Sequence, residues 1–272
     1  MKMNLFSAVL AVLLGLSAQN DSLVQPQEEG VKTNGSHRLD ITSRILEANK
    51  GVDQVLVEGD VALSRKRNAM NCWSGNCKWT KSRRGLVEVP YTISDFYFDS
   101  ERASILKAME RFQQATCVRF VPHRGQSDFL SIESERGCWS TIGKEGGRQV
   151  VSLSVHGCLE RGIIQHELLH ALGFHHEHTR RDRDQYVRIN WGNIAAGNTF
   201  NFNKMDTNNL NTPYDYSSVM HYGRSAFAGT FGAETITPIP DSSVPIGQRE
   251  DMSDIDINRI IRFFGCSKCR NQ

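Results

Sequence analysis

Residues His166 to His178 spell HELLHALGFHHEH, and this stretch constrains the fold more than any other feature of the chain. If its first part is helical, His166 and His170 stand four residues apart on one face, and both rings reach one point. Glu167 then sits beside that point without being needed as a ligand. A third ring cannot come from the next turn of the same helix. Gly173 therefore marks a break, because glycine tolerates the left-handed backbone that lets the chain swing back and present His176. Three imidazoles with a fourth position open describe a catalytic zinc site. A structural zinc prefers a closed set rich in cysteine, and no cysteine lies near these histidines. His175 and His178 fall off the ligand spacing and are expected to be packing or solvent-facing side chains.

Such a site implies hydrolysis. Zinc held by neutral imidazoles makes hydroxide available near neutral pH. Glu167 is placed to take the proton of the attacking water and hand it to the leaving amine of a peptide, so one carboxylate serves as base and then acid.

The chain has 272 residues, of which 39% are hydrophobic and 23% charged, enough for a full core. Its net charge of +2 is spread in both signs, with no basic stripe carrying interleaved aromatics, so nucleic acid is not an expected partner. Lys2 precedes an apolar run from Leu5 to Ala18 that ends in small residues, the pattern of a secretory signal comprising residues 1–18. That run is too short to span a bilayer of about 30 Å, and no later stretch reads as a membrane anchor. Seven cysteines in an exported chain are expected to form disulfides, with one left over.

Residues 19–67 are polar, poor in aromatics and end in Arg65, Lys66 and Arg67. They are expected to be a pro-segment removed by a protease cutting after Arg67, so that the catalytic domain covers 68–272. Both glycosylation sequons, at Asn20 and Asn34, fall in the discarded part. Within the pro-segment a short helix is predicted from Ile41 to Lys50, with Asp40 as N-cap and Gly51 just past its end. In the body, strands are predicted at Leu86 to Ile93, Cys117 to Val121, Phe129 to Glu133 and Gln149 to Ser154. A helix is predicted from Asp99 to Thr116, its core stripe formed by Ala103, Leu106, Met109 and Phe112. Another is predicted from Asp254 to Phe264, capped by Ser253 and closed by Gly265. From Tyr186 to Glu250 the many Asn, Gly, Pro and Ser residues suggest irregular loops.

The string from His166 to Glu177, continuing through Arg180, Asp182, Arg183 and Asp184, closely resembles the signature of the astacin family of metzincin metalloendopeptidases. Ser218-Val219-Met220-His221-Tyr222 resembles that family's Met-turn. The resemblance implies an α+β catalytic domain, with a twisted sheet and helices in its N-terminal part and a mostly irregular C-terminal part. It also implies one zinc ion on His166, His170 and His176, with Glu167 as general base and Met220 beneath the metal. Tyr222 would ligate zinc at rest and then support the oxyanion; from the residues alone it is an ordinary packing tyrosine. Glu177 would anchor the freed N-terminus of Asn68 through water, where the residues alone suggest a surface charge.

The family's pro-segments carry a Phe-x-Gly-Asp element whose aspartate blocks the zinc. Val57-Glu58-Gly59-Asp60 resembles it with Val in place of Phe, which makes Asp60 the expected zymogen switch. The family pattern pairs Cys117 with Cys266 and Cys138 with Cys158; the first bridge is worth about 5 kcal/mol in a chain-entropy account. Cys72 and Cys77 resemble the extra pair of the six-cysteine astacins of fishes. Cys269 is then the odd thiol and could compete with Cys266 for Cys117. Asn68-Ala69-Met70, Thr212-Pro213-Tyr214-Asp215-Tyr216 and Ile236-Thr237-Pro238-Ile239-Pro240 look most like the hatching enzymes of the family. The expected product is thus a secreted protease, stored in secretory granules before release, acting on egg-envelope glycoproteins. A related six-cysteine astacin with another protein substrate, or a non-catalytic secreted binding protein, are the alternatives.

Overall fold

The computed structural model describes residues 40–63, 77–248 and 250–267, and its first helix starts where the Asp40 carboxylate accepts a hydrogen bond from the Ser43 amide at 2.9 Å. This helix, α1 (Ile41–Ala48), turns Ile41 and Ile45 into the core. It stops short of the predicted Lys50. The Asn49 side chain is engaged elsewhere, donating to the carbonyls of Gly59 at 2.9 Å and Cys138 at 2.8 Å and accepting from the Cys138 amide at 2.7 Å. Those tertiary bonds compete successfully with another helical turn.

Two strands of two residues each follow, β1 (Leu56–Val57) and β2 (Val61–Ala62), paired antiparallel around the turn that carries Glu58, Gly59 and Asp60. Neither strand is among those expected from the sequence. The body then supplies β3 (Val87–Ile93), α2 (Asp99–Ala115), β4 (Val118–Pro122), β5 (Phe129–Glu133), β6 (Cys138–Ser140) and β7 (Arg148–Leu153). The seven strands form one mixed sheet in the order β1-β2-β6-β7-β5-β3-β4. The central pairings β3 with β4, β3 with β5 and β5 with β7 are parallel, and β6 runs antiparallel to β7. Alternate residues of these strands, Val87 and Val89, Leu130 and Ile132, Val151 and Leu153, are buried and give the sheet an apolar face.

Helix α2 packs on this sheet with a face that keeps Met109 and Phe112 of the expected stripe but not Ala103 and Leu106. Ile105, Ala108, Met109 and Phe112 are buried, whereas Ala103 is exposed and Leu106 is 44% exposed. The inward face follows helical spacings of three and four together. Helix α3 (Arg161–Leu172) lies almost wholly inside, with every residue from Gly162 to Leu172 buried.

The C-terminal part is mostly irregular, yet the stretch expected to be loops contains β8 (Val187–Ile189) paired with β9 (Ile236–Pro238). Short 3-10 turns at Trp191–Asn193 and Thr199–Phe202 lie between them in sequence. A second apolar cluster forms there around Phe202, Tyr214, Tyr222 and Ile236. Helix α4 (Asp254–Phe264) starts at a reciprocal capping box between Ser253 and Asp256 and ends at Gly265 in the left-handed conformation, φ 61°. The fold is therefore α+β.

Cys117 is bonded to Cys266 and Cys138 to Cys158. Cys77 is disulfide-bonded, while Cys72, its expected partner, lies outside the described residues, as do Arg67, Asn68, Cys269 and the signal-like run. No helix among the described residues is long and apolar enough to cross a membrane.

The burial of α2 yields a direct contrast. Phe112→Ala should cost about 3–5 kcal/mol in urea denaturation, and Leu106→Ala should stay within about 0.5 kcal/mol of wild type. Equal losses would place Leu106 on the buried face as well.

Candidate active site

Helix α3 carries the first two histidines, one turn apart. His166 donates from Nδ1 to the Val219 carbonyl at 2.7 Å, and His170 donates from Nδ1 to the Phe174 carbonyl at 2.7 Å. With their outer nitrogens tied, both rings turn Nε2 inward, and these two atoms stand 3.1 Å apart. Helix α3 then stops at Gly173, whose φ of 115° is left-handed. A side chain there would be strained, and its Cβ would come within 3.4 Å of the Phe263 ring. The reversal brings His176 to the same point, with its ring centroid 4.7 Å from that of His170 and 5.0 Å from that of His166.

The Asp60 carboxylate stands among the three rings. It lies 3.0 Å from Nε2 of His166, 3.3 Å from His170 and 3.4 Å from His176. One ligand atom from each of these four buried residues falls within 4.8 Å of the others. Among the described residues, His176 Nε2, Asp60 Oδ1 and both Glu167 carboxylate oxygens are buried without a hydrogen-bond partner. Unpartnered buried polar atoms cost on the order of 1–3 kcal/mol each, so their convergence calls for a cation. Three imidazole nitrogens and one carboxylate oxygen form a donor set suited to tetrahedral zinc.

Burial alone would raise the carboxyls of Asp60 and Glu58, but the surrounding imidazoles hold both well below the usual carboxylate range. Glu167 shifts the other way: burial and the neighbouring Asp60 charge both push it well above its ordinary value. Tyr222 is also pushed up, by burial and by the charges of Asp60 and Glu58, so its phenol stays a donor. Its hydroxyl donates to the Glu58 backbone carbonyl.

Two histidines outside the ligand spacing have definite places. His178 is buried and stacks on the Tyr222 ring at 3.6 Å, while its Nε2 donates to the Asn201 carbonyl at 3.0 Å. His175 is neither core nor free in solvent, since its Nδ1 binds Glu58 at 2.9 Å. Sequence reasoning missed that contact and the part played by Glu58. The signal lay in the turn itself, where a carboxylate stands two residues before Asp60.

Helix α4 braces the site from behind. Asp256 accepts from the Ser218 hydroxyl at 2.6 Å and from the Val219 amide at 3.1 Å, on the same residue whose carbonyl holds His166. Met220 is buried, and its carbonyl accepts from the Glu177 amide at 2.9 Å. Glu177 is no surface charge. It is buried, and it accepts from the Asp215 amide at 2.8 Å, from Arg180 at 3.3 Å and from both terminal nitrogens of Arg259. Arg259 was not singled out in the sequence. A cavity of about 360 Å³ opens next to this pair, lined also by His175, Arg180 and Phe263.

Comparison with known proteins decides the family. The model of the astacin peptidase family matches residues 76–265. The chain belongs to the astacin family. It is accordingly a zinc metalloendopeptidase, and His166, His170 and His176 are the imidazoles suited to the metal. This astacin is 51% identical over 269 residues to High choriolytic enzyme 1 of Oryzias latipes, covering 97% of this chain and 100% of that one. It is 48% identical over 265 residues to the Low choriolytic enzyme of the same fish, covering 96% and 97% of the two chains. The solved structure of High choriolytic enzyme 1, described as a hatching enzyme zinc-protease, superposes with a TM-score of 0.71 at 56% identity. That superposition covers 74% of this astacin and 100% of the solved chain.

The bracing pair makes a stability prediction. Arg259→Met removes the closest cation from the buried Glu177, leaving Arg180 at 3.3 Å, and should cost up to about 3–5 kcal/mol in guanidinium denaturation. Adding Glu177→Met should recover most of that loss, and a double variant as unstable as the single one would show that the pair is not the cause.

Proposed function

We propose that this chain is the secreted zymogen of a hatching protease, cut after Arg67 to release an endopeptidase that digests egg-envelope glycoproteins. The observation that carries this reading is the Asp60 carboxylate seated among His166, His170 and His176, with Glu167 unpartnered beside it. The apolar run from Leu5 to Ala18 supports export, and storage in secretory granules before release is part of the proposal. The substrate follows from kinship, since the medaka relatives are named for choriolysis and hatching.

His166, His170 and His176 would hold the zinc, which when bound supplies Lewis-acid activation of water and of the scissile carbonyl. Glu167 takes the proton of the attacking water and delivers it to the leaving amine nitrogen. The Tyr222 hydroxyl donates to the carbonyl oxygen as charge develops there. A precedent for that contact exists within the molecule, where the phenol already meets the Glu58 carbonyl. Met220 is buried in the turn that carries Val219, and the family resemblance assigns it the place beneath the metal.

In the uncleaved chain Asp60 takes the position that the water needs. Strand β2 lies along β6 in parallel through the single pair Val61 and Ser140. Its departure frees the β6 edge for an extended substrate. The cavity beside Glu177 and Arg259 is a receptor for the new N-terminus of Asn68, with Glu177 as its anchor through water.

Three measurements test the reading. Glu167→Ala should keep zinc by elemental analysis and lose at least about a hundredfold in turnover; near-normal activity would overturn its role. Uncleaved Asp60→Ala protein should show measurable peptidase activity where the uncleaved wild type is silent. Processed protein should solubilise isolated egg envelope in preference to casein, and a zinc chelator should abolish both. Cleavage of casein with intact envelope would assign this protease to another tissue substrate.

A further inference from the structure

Each ligand imidazole is aimed by what its outer nitrogen meets, and the three outer partners are not alike. His166 and His170 donate to the backbone carbonyls of Val219 and Phe174, both supplied by the body of the enzyme. His176 donates from Nδ1 to the Glu58 carboxylate at 2.9 Å, and Glu58 belongs to the N-terminal segment. A carboxylate behind a ligand histidine fixes its tautomer and ring orientation and strengthens the inner nitrogen as a donor, more than a neutral carbonyl does. The strongest outer support thus falls on the one ligand outside α3, carried on the loop after Gly173.

Glu58 is held there with unusual determination. Its backbone is left-handed, φ 51°, a conformation that glycine, asparagine or aspartate adopts more readily. Its other carboxylate oxygen binds His175 at 2.9 Å, so the carboxylate bridges two consecutive histidines. Gly59 follows at φ 81°, and any Cβ there would meet Leu46 at 2.7 Å and Phe227 at 3.0 Å. The turn is therefore pinned from both sides, and it delivers two carboxylates to the two nitrogens of the His176 ring. Asp60 meets the inner nitrogens, and Glu58 meets the outer nitrogen of His176.

We propose that Glu58 is a positioning residue of the metal centre, acting through His176, so that the N-terminal segment tightens the grip on zinc and its removal loosens it. The uncleaved protein would then be the form that acquires and retains the metal. This inference rests on the reading of the histidine trio as the zinc site and of the segment as a removable pro-segment.

The test measures zinc affinity, by competition with a chromogenic zinc chelator, for the uncleaved wild type, Glu58→Gln, Glu58→Ala and Asp60→Asn, and for each after processing. Glu58→Gln, which keeps the size of the side chain, should weaken zinc binding of the uncleaved protein by about tenfold or more. After processing, the Glu58 variants and wild type should hold zinc equally, because the segment has left. Thermal unfolding of the zinc-free uncleaved Glu58→Gln protein should match wild type. Undiminished affinity in uncleaved Glu58→Gln would overturn the inference. So would a deficit that persists after processing, or one mirrored by a lower melting temperature without zinc. An uncleaved wild type that takes up no zinc at all would overturn the reading of the site itself, whereas normal uptake with an indifferent Glu58 would remove only the present inference.

Discussion

An α-helix can set His166 and His170 one turn apart on a single face, but it cannot carry a third ring to the same point. The left-handed turn at Gly173 performs that reversal, and the remaining supports of the site serve to hold its two sides in register. On the helical side, α3 is buried along nearly its whole length, so the first two rings cannot drift without disturbing the core. On the loop side His176 is buried too, but no long helix carries it, and hydrogen bonds and ring contacts hold it in place. Its neighbours Tyr222 and His178 meet it at centroid distances of 4.7 and 5.5 Å.

Helix α4 ties the two sides together. Asp256, in its first turn, holds the amide of Val219, whose carbonyl aims His166. Arg259, one turn later, grips Glu177, the residue that follows His176. One helix thus reaches both the first ligand and the third through buried, charge-assisted bonds. Such bonds are valuable for position rather than for net stability, since desolvation of each ion offsets much of the attraction. Their cost is justified where small displacements of a ligand ring matter more than a few kcal/mol of folding free energy.

The spacing of His166, His170, Gly173 and His176 was legible because helix periodicity and the freedom of glycine are local properties. The extent of α2 was legible for the same reason, but its inward face was not. Residues three apart advance about 300° around a helix, so the string Ala103, Leu106, Met109, Phe112 walks about halfway round the cylinder between its ends. Only the later members could share a face with the core, which is where Met109 and Phe112 lie. Strands β1 and β2 escaped notice because two residues are too few to show alternation. Arg259 and Glu58 escaped for a deeper reason: their partners Glu177 and His176 are 82 and 118 positions away in sequence, and an ordinary charged residue carries no mark of such a pairing. Strands β8 and β9 were lost among turn-forming residues, since three-residue strands are stabilised by each other and not by local pattern.

If the N-terminal segment is the proposed pro-segment, the way it is held would let a single cut release it. Its main-chain link to the body sheet is one residue pair, Val61 with Ser140. Helix α1 adds two buried isoleucines, and its eight residues are too few to be stable as an isolated helix. While the chain is continuous, the segment sees its site at the effective concentration set by a short tether. Cleavage removes that advantage and turns binding into a bimolecular event. A freed segment must then refold its helix and desolvate Glu58 and Asp60 each time it returns, and the ordering entropy weighs against it. On the proposed zymogen reading, latency of this design would need no tight-binding inhibitor, because the covalent connection would supply most of the occupancy and the two buried carboxylates its accuracy.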